Sequence, residues 1–290
     1  MARILVIGSV ALDHVVFLKE SLREGAHLEG EDRGVRLGGG AGNTGGALAH
    51  AGHVVLPVAP IGSDQDGQRL EAAMAEIGLD LSLVLRVEGA STRSIVMVDG
   101  QGERTIVNLS RAGEPSPPTR LLDVEADALF VRSRALDLSP ILRRKAEDAL
   151  VVAHLPPLGA GVRPAQVLVA SQSDLSPQDM ADPWALGCAA AGEGLLRWVV
   201  ITKGADGAVA YGRRGQVIFA PAPVVTPKDT TGAGDAFAAG LVHALISGHE
   251  MEEALHLACA WGAEATQWET SLLPRAAVNR LCGGDKSLGK

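Results

Sequence analysis

The segment Pro227-Lys228-Asp229-Thr230-Thr231-Gly232-Ala233-Gly234-Asp235-Ala236-Phe237 sets a short glycine-rich turn directly before an unbroken helical run. Pro227 stops whatever precedes it, and Ala236 to Ala244 is a good helix with few breakers. Gly232, Ala233 and Gly234 therefore lie at a helix N-terminus, where the first backbone N–H groups lack internal partners. Together with the helix dipole those groups make an anion site. Two glycines leave no Cβ between the backbone and an approaching phosphate. Asp235 follows in the first turn. A carboxylate beside an incoming anion is costly unless it accepts a proton from an attacking hydroxyl. Such a weak base suffices where the proton leaves late, as in a loose phosphoryl transfer. The plainer alternative is that Asp235 merely complements the helix dipole.

On the C-terminal side of this segment the sequence predicts helices over 233–247, 250–267 and 274–281, then a frayed tail over 282–290. On the N-terminal side, strands alternate with helices. Apolar runs predict strands at 3–9, 54–59, 128–132, 150–153, 167–170 and 198–202. Helices are predicted up to His50, over 68–77, 142–149 and 184–196, with Gly52 and Gly78 as stop signals. This alternation implies a mainly parallel sheet covered on both faces, with ligands beyond the C-terminal strand ends. Two hairpins stand apart from it. One joins 207–211 to 215–219. The other joins 93–99 to 104–109 through Asp99-Gly100-Gln101-Gly102. With β-like pieces at 13–19 and 33–37, the second hairpin suggests a small β lid, made of segments near 14–36 and 93–109. No repeat or linker divides residues 1–290, so one domain is expected.

Hydrophobic residues make up 47% of the 290 residues, enough for a sizeable core. The net charge of −8 argues against a nucleic-acid binder. It leaves room for a nucleotide, whose phosphates need only a few local groups. Cys188, Cys259 and Cys282 are widely spaced, which reads as free thiols in a reducing compartment. No run approaches the roughly 18–20 apolar residues of a membrane span. A cytoplasmic protein is the expectation.

The string Asp229–Asp235 resembles the D-T-x-G-A-G-D signature of the ribokinase, or PfkB, family of carbohydrate kinases. Gly38-Gly39-Gly40-Ala41-Gly42-Asn43 resembles that family's other signature, a Gly-Gly followed closely by Asn before a helix. The spacing of the two strings agrees, as do Asp13 after the first strand and the hairpin at 93–109. The resemblance spans roughly residues 3–281. It implies a ribokinase-like three-layer α/β/α sandwich with a β lid, and transfer of the γ-phosphoryl group of ATP to a sugar hydroxyl. It implies Asp235 as base, with the N–H groups of Gly232, Ala233 and Gly234 as anion hole. Asp13, Gly39 and Asn43 would hold the sugar, and Thr202, Lys203, Gly204 and Thr231 would line the nucleotide. The segment near Ser271, with Thr231, would border a site for a monovalent cation such as K⁺. Mg²⁺ would accompany ATP.

Two departures from the family pattern stand out. Ser171-Gln172-Ser173-Asp174 replaces the usual N-x-x-E, leaving Asp174 as the metal-side carboxylate. Cys259 stands near where the family often has an Asn by the adenine. Arg132 and Arg134, at a predicted strand end, either bind an anionic substituent or are plain surface charge; His154 is similarly placed. An apolar outer lid face would suit a homodimer. Other readings stay open here: a nucleoside kinase of the same fold, or a non-catalytic sugar or nucleotide sensor. The third is an NAD(P)-dependent oxidoreductase, since Gly40-Ala41-Gly42-Asn43-Thr44-Gly45 satisfies G-x-G-x-x-G with Asp64 about twenty residues on.

Overall fold

The computed structural model describes residues 1–114, 116–135, 138–157, 159–192 and 194–283. Its main sheet has eight strands. In spatial order they are β4 (Val54–Val58), β1 (Arg3–Gly8), β9 (Ala128–Arg132), β10 (Leu150–His154), β11 (Val167–Ser171), β12 (Trp198–Thr202), β13 (Ala208–Gly212) and β14 (Val217–Ala220). From β4 to β12 every pairing is parallel, and β12, β13 and β14 pair antiparallel.

The side-chain period of two sorts each buried strand between two layers. In β1, Ile4 and Val6 join a core that includes Leu48, Leu241 and Trp261, whereas Leu5 and Ile7 join one that includes Leu142, Leu168 and Val199. Helices α1 (Gly40–His50), α6 (Ala233–Ile246), α7 (Met251–Ala265) and α8 (Arg275–Gly283) cover the first face. Helices α3 (Ser139–Lys145) and α5 (Pro183–Ala191) cover the second. The short α4 (Pro177–Ala181) precedes α5, with a capping box between Ser176 and Asp179. This is the three-layer α/β/α sandwich that the alternation of strands and helices implies.

A second sheet has the order β3 (Gly30–Gly38), β2 (Ala11–Leu18), β7 (Arg93–Val98), β8 (Arg104–Ser110). A parallel pair that the sequence did not suggest, β5 (Pro60–Gly62) with β6 (Leu85–Val87), flanks α2 (Gln65–Glu76). Several predicted boundaries move. Helix α2 starts at Gln65, because Asp64 caps it by accepting the Gly67 N–H at 2.8 Å. Helix α3 begins at Ser139 and ends before the expected 149, and α5 stops at Ala191, where Gly192 turns with φ 75°. Cys282 belongs to α8, so the expected frayed tail lies, from 284 on, outside the described residues.

Asp64 also settles the dinucleotide reading. Its carboxylate accepts the Ser91 hydroxyl at 2.6 Å and the Ser91 N–H at 2.9 Å, so it is a structural clamp. The G-x-G-x-x-G run follows β3, a strand of the second sheet, and not the buried strand β1. The oxidoreductase reading is therefore set aside.

Candidate active site

Strands β1, β9, β10, β11 and β12 end on one edge of the main sheet, at Gly8, Arg132, His154, Ser171 and Thr202. The N-terminus of α6 comes to the same edge, and the second sheet stands over it. Gly232 is the N-cap of α6 in the left-handed region, with φ 84°. Any Cβ there would meet the Ser271 carbonyl at under 3.0 Å, so only glycine fits. A Cβ on Gly234 would meet nothing within 4 Å, so that side of the helix start faces open space. The Ala233 N–H reaches the Thr230 carbonyl at 3.3 Å. Among the described residues, the N–H groups of Gly232 and Gly234 have no acceptor.

Asp235 is buried, its side chain 8% exposed. One carboxylate oxygen accepts Asn43 Nδ2 at 2.8 Å, and the other pairs with Nη1 of Arg132. Asn43 is not the cap of α1. That position belongs to Gly39, at φ 82° against the Ser9 carbonyl, and Asn43 sits one turn inside the helix. Its Nδ2 is committed to Asp235, whereas its Oδ1 is buried without a partner among the described residues. An orphaned buried acceptor costs about 1–3 kcal/mol unless a ligand donates to it.

Asp13 reaches the site from β2, packed over Gly38. Burial raises its pKa above the ordinary carboxylate value. The Ser94 hydroxyl and the Arg36 charge oppose that rise, and the Asp235 charge adds to it. Two carboxylates, an amide and Arg132 thus come together in one cluster. Paired donors and acceptors of this kind suit vicinal hydroxyls.

No local sequence signal shows how the second sheet meets the glycine string. Arg36, on β3, donates to Asp229 at 2.9 Å, with side chains only 17% and 4% exposed. Asp229 in turn accepts the Thr231 N–H at 2.8 Å. At the β7–β8 hairpin, the Gly102 carbonyl accepts both the N–H of Thr230, at 3.2 Å, and its hydroxyl, at 2.9 Å. Arg104 donates to the same hydroxyl at 3.1 Å.

The remaining expected residues are less confined. Thr202 and Lys203 are half-buried at the end of β12, and Gly204 is exposed. Thr202 donates weakly to the Ala170 carbonyl at 3.4 Å, and the Lys203 N–H bonds the Gly207 carbonyl at 2.7 Å. Thr231 is buried and its hydroxyl has no partner among the described residues. Asp174 is exposed in a short turn after β11, beside Ser171 and Ser173, whose hydroxyls bond each other at 2.8 Å. Among the described residues no three metal-ligating side chains gather. His154 lies between these groups. Burial and then the Arg132 charge lower its pKa, while Asp174 and Asp235 pull the other way. Cys259 is a core thiol on α7, pushed up to about 11 by burial and directed at the Ala220 carbonyl.

A buried carboxylate at an open helix N-terminus, facing hydroxyl-binding groups at the C-terminal edge of a parallel sheet, is the arrangement of a phosphotransferase. Residues 1–151 and 171–273 match the pfkB family carbohydrate kinase profile, so the chain belongs to that family and is an ATP-dependent sugar kinase. An ATP-dependent ribose-1-phosphate kinase of Halopiger xanaduensis is 28% identical over 277 residues, covering 91% of this chain and 91% of that relative. A ribokinase of Haemophilus influenzae is 27% identical over 280 residues, covering 89% and 90%. The fold matches the crystal structure of a ribokinase from Thermotoga maritima with TM-score 0.77 at 21% identity, covering 98% of this chain and 100% of that one. It matches a nucleoside kinase of Burkholderia thailandensis in complex with inosine with TM-score 0.75 at 20% identity, covering 97% of each chain. The family implies ATP and Mg²⁺.

Proposed function

We propose that Asp235 takes the proton from a sugar hydroxyl while the first amides of α6 receive the transferring phosphoryl group. The observation that carries this reading is the placement of Asp235. It is buried beside an open helix start and already held by Asn43 and Arg132. Asn43 Oδ1, Asp13 and the close-packed turn at Gly39 orient the sugar. Proximity and fixed hydrogen bonds then do most of the work, because little covalent chemistry falls to the protein in a loose transition state. The N–H groups of Gly232 and Gly234 stabilise charge on the phosphoryl oxygens; Ala233 contributes once its long bond to Thr230 is released.

ATP lies along the end of β12, with Thr202, Lys203, Gly204 and Thr231 on its phosphate side. Mg²⁺ bound to ATP keeps several waters and needs only one or two carboxylates, which fits an exposed Asp174 acting through water. The metal supplies charge neutralisation on the phosphates. The orphaned Thr231 hydroxyl, close to the Ser271 segment that packs on Gly232, suits a monovalent cation such as K⁺. Residues 1–290 form one kinase domain, in which the four-stranded sheet serves as the lid. Its closure excludes water, so that ATP is not hydrolysed. The outer lid face exposes Val35, Val107 and Leu109, a surface that a second copy of the chain would cover. Cys188 and Cys259 are free thiols, which accords with a cytoplasmic protein. Relatives named for ribose and ribose 1-phosphate kinases make a pentose the first acceptor to try.

The test is ADP release, coupled to a reporter enzyme, over a panel of sugars and nucleosides. Wild type should turn over at least one sugar. Asp235→Asn should lose about 10²–10⁴-fold in kcat, the range for removing a general base, with KM values little changed. A turnover number within tenfold of wild type would remove Asp235 from the chemistry.

A further inference from the structure

Three arginines stand at or just past the ends of β9 and β8, the first of them on Asp235. Arg132 ends β9, its stem lying against Gly40 and its Nη1 on Asp235. Arg134 stands two residues further on, in a loop that is tied down. The Ser133 hydroxyl accepts the Ala135 N–H at 3.0 Å, and the buried Arg163 donates to the Ala135 carbonyl at 2.6 Å. Arg111 comes from the other direction, just past β8. Its neighbours are anchored on both sides: the Ser110 hydroxyl donates to the Ser91 carbonyl at 2.6 Å, and the Ala112 N–H to the Thr92 hydroxyl at 3.1 Å. The Thr92 carbonyl accepts the N–H of Leu12, the residue before Asp13. Arg111 is thereby fixed to the same strand segment that carries the sugar ligand.

Arg111 and Arg134 are close enough for their charges to act on each other. The pKa of Arg111 is lowered, by burial first and by Arg134 next. All three side chains reach solvent. Among the described residues neither Arg111 nor Arg134 has a carboxylate partner. Clustering guanidinium groups on rigid supports costs free energy through like-charge repulsion, in a chain whose net charge is −8. An anionic ligand removes that cost, and the planar fork of arginine matches the oxygens of a phosphate.

The geometry points to an acceptor that already carries a phosphate group, held by Arg111 and Arg134 on the side of the site away from the α6 amides, with Arg132 between it and Asp235. This inference rests on the kinase reading above and narrows its substrate to phosphorylated sugars. Arg132 then has two anions to serve. In the ligand-free site it neutralises Asp235. When the sugar phosphate arrives, Arg132 can turn toward it, leaving the carboxylate oxygen free for the acceptor hydroxyl. The bond formed is between that hydroxyl oxygen and the γ-phosphorus of ATP; the bond broken joins the γ-phosphorus to the β,γ-bridging oxygen. ADP leaves, and the hydroxyl proton goes to Asp235.

Two measurements separate the inference from the kinase reading. Binding of D-ribose, D-ribose 1-phosphate, D-ribose 5-phosphate, D-fructose and D-fructose 6-phosphate is measured by isothermal titration calorimetry without ATP, on wild type and on Arg111→Ala/Arg134→Ala. We expect at least one phosphosugar to bind tenfold or more tightly than its neutral parent. The double variant should lose most of that preference, since each charge-assisted bond contributes on the order of tenfold or more. Exposed side chains make the variant's melting temperature an expected match to wild type, and its measurement reports folding directly. Neutral sugars binding as tightly as their phosphates would overturn the inference, as would a folded double variant that keeps the preference. ADP release with the same compounds decides the kinase reading separately. Phosphosugar binding without turnover would sink that reading and leave the anion site standing; turnover of neutral sugars alone would do the reverse.

Discussion

Gly232 and Gly234 are two residues apart and do different things, which makes them a controlled pair. Gly232→Ala puts a methyl group where the Ser271 carbonyl lies, at less than 3.0 Å, on a backbone at φ 84°. The left-handed conformation costs an L-residue about 1–2 kcal/mol. Relieving the overlap by moving the backbone adds about 1–3 kcal/mol. The total, about 2–5 kcal/mol, should lower Tm by roughly 5–15 °C in a chain of this size. Gly234→Ala meets nothing within 4 Å and lies within helix α6. Alanine in a helix is worth roughly 0.5–1 kcal/mol over glycine, so the variant should melt at or slightly above the wild-type temperature. If the helix start is where the phosphoryl group docks, the new methyl stands in its path. Then kcat should fall by about 10²-fold, comparable to losing one oxyanion-hole donor. Differential scanning fluorimetry and coupled ADP release on both variants are sufficient. A Gly234→Ala enzyme with wild-type kcat and ATP KM would refute the anion-site argument. A Gly232→Ala enzyme with wild-type Tm would refute the steric one.

Three further outcomes follow from the charges. Burial raises the Asp13 pKa, so the folded state keeps that proton at a pH where the unfolded chain has lost it. The Asp13 contribution to stability therefore declines as pH rises from the ordinary aspartate value through the raised one. In the assay, the acid limb of sugar kcat/KM should lie above the ordinary aspartate pKa and vanish in Asp13→Asn; an unchanged limb assigns it elsewhere. His53 is held neutral, by burial first and the adjacent His243 second, with its pKa lowered from 6.5 to about 4. Between those values only the unfolded chain gains the proton, so stability should fall on acidification through that window. The loss is on the order of 2 kcal/mol after allowing for partial exposure. Urea unfolding at pH 7 and pH 5 should show it in wild type and much less in His53→Gln; equal losses would clear His53. Asp174→Ala should raise the Mg²⁺ concentration for half-maximal rate several-fold, and an unmoved titration would leave Asp174 a loop residue.

Elements with compact, contiguous signals were legible in the sequence. Strands 128–132 and 198–202 appear at the predicted limits, because an apolar run bounded by polar residues defines a doubly buried strand. The glycine string is at a helix N-terminus as its breakers imply. Local signals misled where a residue's chemistry suits two tasks. Asp64 stands at the dinucleotide-fingerprint distance and is a cap and a clamp for Ser91. The ion pairs that shape the site were not legible. Arg36 and Asp229 are 193 residues apart and Arg132 and Asp235 are 103 apart, so no spacing rule reaches them.

The contacts from the Gly102 hairpin and from Arg36 to Thr230 and Asp229 have a consequence for engineering. Thr230 spends both its donors on the Gly102 carbonyl of the β7–β8 turn, two residues before the left-handed Gly232. Hairpin tip and glycine string are thus two halves of one interlocking part, made at distant places in the gene. A chimera that imports the hairpin of a relative without its matching string would mate mismatched halves, and its defect would register as lost turnover although the imported strands touch no phosphate. Swapping the two together should carry the fit across intact.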